Sequence, residues 1–174
     1  MEKQKLLLHL KEVFEKTKEK LCFESSLKDI DSIFYIKDAV MHSGYISTNF
    51  SRQLCQRMVD TYNMWVGYLH GLVVPNPNYI PSYTESDMLT EEDKHEIMHM
   101  IDKTVALIST NTLIGLTKDR EKEKYFIDEC VRYWKEEFSI KASRIIAKLN
   151  SSWKERSKKK PENKKEKEDN HIFG

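Results

Sequence analysis

The chain reads as an all-α protein, one bundle of about five helices with a long C-terminal helix and a charged tail. Three observations carry that expectation. Apolar residues recur every three to four positions along most of the sequence. Glycine and proline are scarce, five and four in 174 residues, which leaves little turn chemistry for a many-stranded protein. The cap and stop residues that delimit helices fall between the periodic runs.

Residues 2–21 form the first expected helix, with Leu6, Leu7, Leu10, Val13, Phe14 and Leu21 on its apolar side. Ser25 or Ser26 caps a second, whose face is Leu27, Ile30, Ile33, Phe34, Ile36, Val40 and Met41, with Gly44 as its stop. Thr48 or Asn49 opens a third that runs to about Leu72. Leu54, Cys55, Met58, Val59, Tyr62, Trp65, Val66 and Leu69 cover most of its circumference, which marks it as the central helix. Arg52, Arg57 and Asp60 occupy its remaining polar strip.

Pro75, Pro77 and Pro81 then interrupt the pattern. Their fixed φ and missing donors argue for a non-helical strap, anchored by Tyr79, Ile80 and Tyr83 and reaching Leu89. Thr90 caps the fourth helix; Glu91, Glu92 and Asp93 follow it, and Thr90 with Asp93 approximates a capping box. Its stripe is Ile97, Ile101, Val105 and Ile108, and it ends at Ser109 or runs on to Gly115. The fifth helix starts at Thr117 or Asp119 and reaches Trp153. Ile127, Val131, Trp134, Phe138, Ala142, Ile145, Leu149 and Trp153 form a near-heptad seam, suited to a bundle core or to self-pairing. The sequence therefore divides into a helical domain over 1–156 and a Lys/Glu-rich tail over 157–174, whose low apolar content predicts disorder.

Composition excludes several functions. A net charge of +1 supplies no global field toward nucleic acid or an anionic membrane. No apolar run is long enough to span a bilayer, and charged Lys11 and Glu12 break the N-terminal apolar run too early for a signal peptide. Cys22, Cys55 and Cys130 are odd in number and far apart, which predicts reduced thiols and a cytoplasmic location. The phosphate-loop, dinucleotide, nucleophile-elbow and paired-cysteine motifs are missing from the sequence.

One motif suggests chemistry. His95-Glu96-Ile97-Met98-His99 spells H-E-x-x-H, which on a helix lets two imidazoles share a zinc ion while the glutamate acts on metal-bound water. The zinc reading makes His95 and His99 ligands and Glu96 the base of a hydrolase. The pentapeptide resembles the metal helix of the zincins over five residues only, and its charged lead-in, Glu91-Glu92-Asp93-Lys94, departs from that pattern. With Ile97 at zero, the apolar stripe lies at about 20–80° and the histidines at about 160° and 200°, on the solvent side. A helical di-iron site is excluded, because both Glu-x-x-His pairs of the domain fall on one helix.

A second candidate is the basic end of the fifth helix, where Lys141, Arg144, Lys148, Lys154 and Arg156 face a single acid, Glu155. Such a cluster suits phosphate contacts with nucleic acid. The preferred expectation is a non-catalytic bundle protein without a cofactor, acting through a protein partner or self-association as an adaptor or assembly subunit.

Overall fold

The structure is a computed structural model and describes residues 2–158. They form seven helices and no strand, so the all-α expectation holds, with two more helices than the sequence suggested. The central element is the Phe50–Val73 helix, α4. Leu54, Cys55, Met58, Tyr62, Leu69 and Leu72 on it are fully buried. It packs most extensively against the Glu91–Thr117 helix, α6, and also touches helices at both ends of the chain. Among the described residues no helix is long and apolar enough to cross a membrane.

α1 spans Glu2–Leu21, as its periodicity predicts, and buries Leu10 and Phe14. The expected second helix is two: α2, Leu27–Phe34, and α3, Ile36–Ser43. Tyr35 sits between them at φ +52°, left-handed backbone that a tyrosine adopts only where its surroundings hold it. Two contacts do so. Asp31 accepts the Lys37 backbone N–H at 2.8 Å, and Arg57 of α4 donates from Nε to the Phe34 carbonyl at 2.8 Å. The periodicity continues through the break, and one of its two locks comes from a helix 23 residues away.

The proline strap is also corrected. Pro75 and Pro77 lie in the link, but Pro81 stands in the first turn of an eight-residue helix, α5, Ile80–Asp87. A proline there forfeits only an N–H that would have no intrahelical partner. Tyr79, Ile80 and Tyr83 are not anchors: all three are exposed, Ile80 at 77%. α5 instead buries Thr84 and Ser86, and Ser82 Oγ donates to the Gly71 carbonyl of α4 at 2.9 Å.

α6 is capped as expected. Thr90 Oγ1 accepts from the Asp93 N–H at 3.2 Å, and Asp93 Oδ2 accepts from the Thr90 N–H at 3.0 Å. The helix does not break at Ser109 but continues to Thr117. Thr104, Thr110, Thr112 and Thr117 each donate their hydroxyl to the carbonyl four residues back, so these polar side chains are satisfied within the helix. The buried face is Ile97, Met100, Ile101, Thr104, Asn111 and Ile114, whereas Val105 is 44% exposed. Of the expected stripe, Ile97 and Ile101 are buried and Ile108 is half-buried against the core, and only Val105 turns toward solvent.

α7 is the longest helix, in three stretches: Arg120–Tyr133, a π segment Trp134–Phe138, and Ser139–Lys158. It passes the expected end at Trp153 and the tail boundary at 157; the rest of the expected tail lies outside the described residues. Before the π segment it buries Glu123, Phe126, Ile127, Cys130, Val131 and Tyr133, and after it Ala142, Ile145 and Leu149, with Phe138 at the join. In an unbroken α-helix the mean directions of the two faces, with Phe138 in the second, would differ by about 75°. The extra residue of a π turn sets the second face back by about 100°, which leaves the two within about 25°. The seam is therefore the bundle core. Trp134 and Phe138 stack at 5.1 Å between ring centres, and Tyr62 lies edge-on to Phe138 at 5.7 Å. Tyr62 also donates its hydroxyl to the Cys130 carbonyl at 2.7 Å.

Candidate functional site

His95 and His99 lie on the solvent side of α6, one turn apart and both exposed. Glu96, between them, forms an ion pair with Arg144 of α7. Its carboxylate is thus engaged by a guanidinium, which would have to release it before it could act as a base. Among the described residues no three His, Cys, Asp or Glu side chains are grouped as ligands of a metal ion.

Arg144 belongs to the basic end of α7, and its neighbours there are paired as well. Lys141 pairs with Glu137 at 2.7 Å, and Lys148 pairs with Asp93, the acid of the α6 capping box. Lys103 of α6 also reaches Glu137. Lys148, with Thr90, holds the Asp93 carboxyl down at about 2, and Lys103 and Lys141 hold Glu137 at about 2. Lys141, Arg144 and Lys148 therefore stitch α7 to α6 and to itself. Lys154 and Arg156 have no acidic partner among the described residues. Arg156 lies over the Trp153 ring, 5.8 Å from its centre.

A polar cluster lies deeper, where α4, α6 and α7 meet. Glu123 and Asn111 are each 4% exposed. Arg52 Nη1 stands 3.7 Å from Glu123 Oε1, and Arg52 Nη2 donates to the Asn111 carbonyl at 3.5 Å. A Cβ on Gly115 would come within 3.2 Å of that guanidinium, so the missing side chain gives Arg52 its room. The pair replaces apolar packing with a directional contact between three helices. Cys55 and Cys130 are buried, and burial pushes the Cys55 thiol up to about 12 and Cys130 well above its usual value. Neither is suited to act as a thiolate nucleophile.

A groove of about 880 Å³ runs beside α7 and includes Cys22, Lys122, Asp128, Arg132 and Lys135. Several of its acids and bases are engaged in contacts that hold the fold. Asp128 accepts the Glu24 and Ser25 backbone N–H groups at 2.9 Å each and the Ser25 hydroxyl at 2.6 Å, closing the α1–α2 link onto α7. Lys135 pairs with Asp29 at 2.5 Å, and Arg132 pairs with Glu129.

One surface differs from all of these. From Thr61 to Thr84, 24 consecutive residues contain no Asp, Glu, Lys or Arg, in a chain that is 33% charged. This run covers the outer half of α4, the link and the start of α5. Met64 is 71% exposed, and Tyr68, Val74, Tyr79, Ile80 and Tyr83 are exposed with it. Tyr68 lies edge-on to Trp65 at 6.1 Å. Burial, with the nearby Glu85 carboxylate of α5, raises the Tyr68 hydroxyl pKa above its ordinary value. Glu85 in turn accepts from Trp153 Nε1 at 3.0 Å. The α4–α5 corner and the end of α7 thus border one surface. The charge-free run is visible in the sequence, but the strap reading made Tyr79, Ile80 and Tyr83 anchors, whereas all three are exposed.

Comparison with protein-family models, with curated proteins and with solved structures finds no match for this chain.

Proposed function

We propose that this chain acts through protein–protein contacts, as a non-catalytic adaptor or assembly subunit, and that the α4–α5 corner is the surface it uses. The charge-free run with outward-facing Met64, Tyr68, Ile80 and Tyr83 carries the proposal. Interface cores lose charged residues and gain Tyr, Trp and Met relative to the rest of a surface, and this corner has that composition. Apolar side chains clustered on a surface otherwise dense in charge mark a region that is covered in use. The proposal includes a cytoplasmic location, which the free, buried Cys55 and Cys130 support.

The test compares the wild-type chain with a Met64→Lys/Ile80→Lys/Tyr83→Lys variant. All three positions are exposed, so the variant should keep its helical circular dichroism and its melting temperature. The wild type should associate, with itself or with a partner captured from a lysate, and the variant should not. If the two associate equally, this surface is not the one used. A wild type that stays monomeric and captures nothing would remove the proposal altogether.

A further inference from the structure

The polar junction of α4, α6 and α7 holds more hydrogen-bonding capacity than the protein meets there. Arg52 Nη1, Asn111 Oδ1 and Glu123 Oε2 are buried, and none of the three has a hydrogen-bond partner among the described residues. Buried polar atoms without partners are rare, because they give up bonds to solvent and receive none in exchange. The contacts around them are also long. Arg52 Nη1 stands 3.7 Å from Glu123 Oε1, and Nη2 stands 3.5 Å from the Asn111 carbonyl, against about 2.9 Å for a well-formed N–H···O bond. The guanidinium thus stands back from both partners. Gly115 permits this position, because a Cβ there would come within 3.2 Å of Nη2.

We propose that one water molecule binds inside this junction, accepting from Arg52 Nη1 and donating to Glu123 Oε2 and Asn111 Oδ1. The chemistry of the three atoms selects it. They offer one donor and two acceptors. A water molecule brings two hydrogens and two lone pairs, so it meets all three with the number of hydrogen bonds usual for a buried water. Turning the Asn111 amide over exchanges an acceptor for a donor, and water meets that set as well. An anion would face the Glu123 carboxylate and the Asn111 oxygen, and a cation would face the Arg52 guanidinium. An apolar molecule would leave all three atoms unmet. Opposite charges held beyond about 3.5 Å are at the spacing that a bridging water creates. Each of the three atoms belongs to a different helix, so a single water ties α4, α6 and the start of α7 together where α6 gives way to α7. The site is separate from the α4–α5 corner and does not depend on its role.

High-resolution crystallography of the full chain tests this directly. The map should show an ordered water about 2.6–3.2 Å from Arg52 Nη1, Glu123 Oε2 and Asn111 Oδ1. Oxygen-17 relaxation dispersion of the solvent counts long-lived internal waters in solution. The wild type should hold one more than Arg52→Met with Glu123→Leu, which removes two of the three polar atoms and fills their place with apolar side chains. Glu123→Gln keeps the shape and a hydrogen-bonding atom at the same place, so it should keep the water. Circular dichroism confirms that each variant is folded, and the wild-type map decides alone if one is not. A direct Arg52–Glu123 hydrogen bond with nothing between them, or an ion in that place, overturns the proposal. Equal dispersion from the wild type and a folded Arg52→Met/Glu123→Leu variant overturns it too.

Discussion

The π segment of α7 makes a prediction that an unbroken helix would not. A π turn is an α-helix with one residue inserted, so removing one residue from it should restore a continuous α-helix without rotating either flank. Glu136 is exposed and makes no ion pair among the described residues, which makes it the residue to delete. Trp134 and Phe138 stay in the core, and Ala142, Ile145 and Leu149 keep their directions. The expected loss of stability is within about 1 kcal/mol, the range of surface changes. Deleting Ser143, also exposed, is the control. That deletion turns Ile145 and Leu149 by about 100° away from the core. The cheapest repair is to straighten the π turn, which instead displaces Phe138 and Ala142. Phe138 is fully buried, and losing its packing alone costs about 3–5 kcal/mol. In a chain of this size that corresponds to a melting temperature lower by roughly 10 °C or more. Urea titration followed by circular dichroism and by the fluorescence of Trp65, Trp134 and Trp153 measures both variants. Equal losses, or a Glu136 deletion that fails to fold, would refute the account of the π turn.

Three further predictions follow from the ion pairs. Arg52→Met alone strands the Glu123 carboxylate in the interior and should cost about 3 kcal/mol in urea unfolding, whereas Arg52→Met with Glu123→Leu should recover most of it. Asp93 and Glu137 are held near 2 in the fold by Lys148 and Lys103, below the values of about 4 expected when unfolded. Their contribution is therefore complete above about pH 5 and lost as the pH falls toward 2; after solvent screening it is about 1 kcal/mol each. Melting temperature against pH should show that slope, and Lys148→Met with Lys103→Met should flatten it. Arg144→Ala with Lys148→Ala should lower the melting temperature by a few degrees but leave any nucleic-acid affinity and its salt dependence unchanged; a salt slope reduced by about one per residue would instead make them phosphate contacts.

Local rules were sufficient where the cause is local. The span of α1, the position of α4 as the most enclosed helix and the Thr90–Asp93 capping box all follow from spacing and cap chemistry within a few residues. The burial of Cys55, Cys130 and most of the α7 seam followed in the same way. Each correction has a cause distant in sequence or a residue type that local rules misjudge. Tyr35 interrupts a continuous apolar pattern where Arg57 caps the Phe34 carbonyl. Pro81 begins a helix, and α5 docks through Thr84 and Ser86, while the more apolar Tyr79, Ile80 and Tyr83 face outward.

The candidate site divides along the same line. Periodicity placed His95 and His99 on the solvent side of α6, where they lie. It could not show that Glu96 is engaged by Arg144, or that Lys148 meets Asp93, because those partners lie 48 and 55 residues apart. By itself, the amino-acid sequence determined an all-helical chain, its central helix and a stretch of 24 residues without charge, since these depend on composition and on periods of a few residues. Tertiary packing decided which side of that stretch faces out, which bases of α7 are neutralised and where a helix breaks or takes an extra residue. Each of those outcomes depends on what a distant helix places against the segment, and periodicity within a segment carries no information about its neighbour.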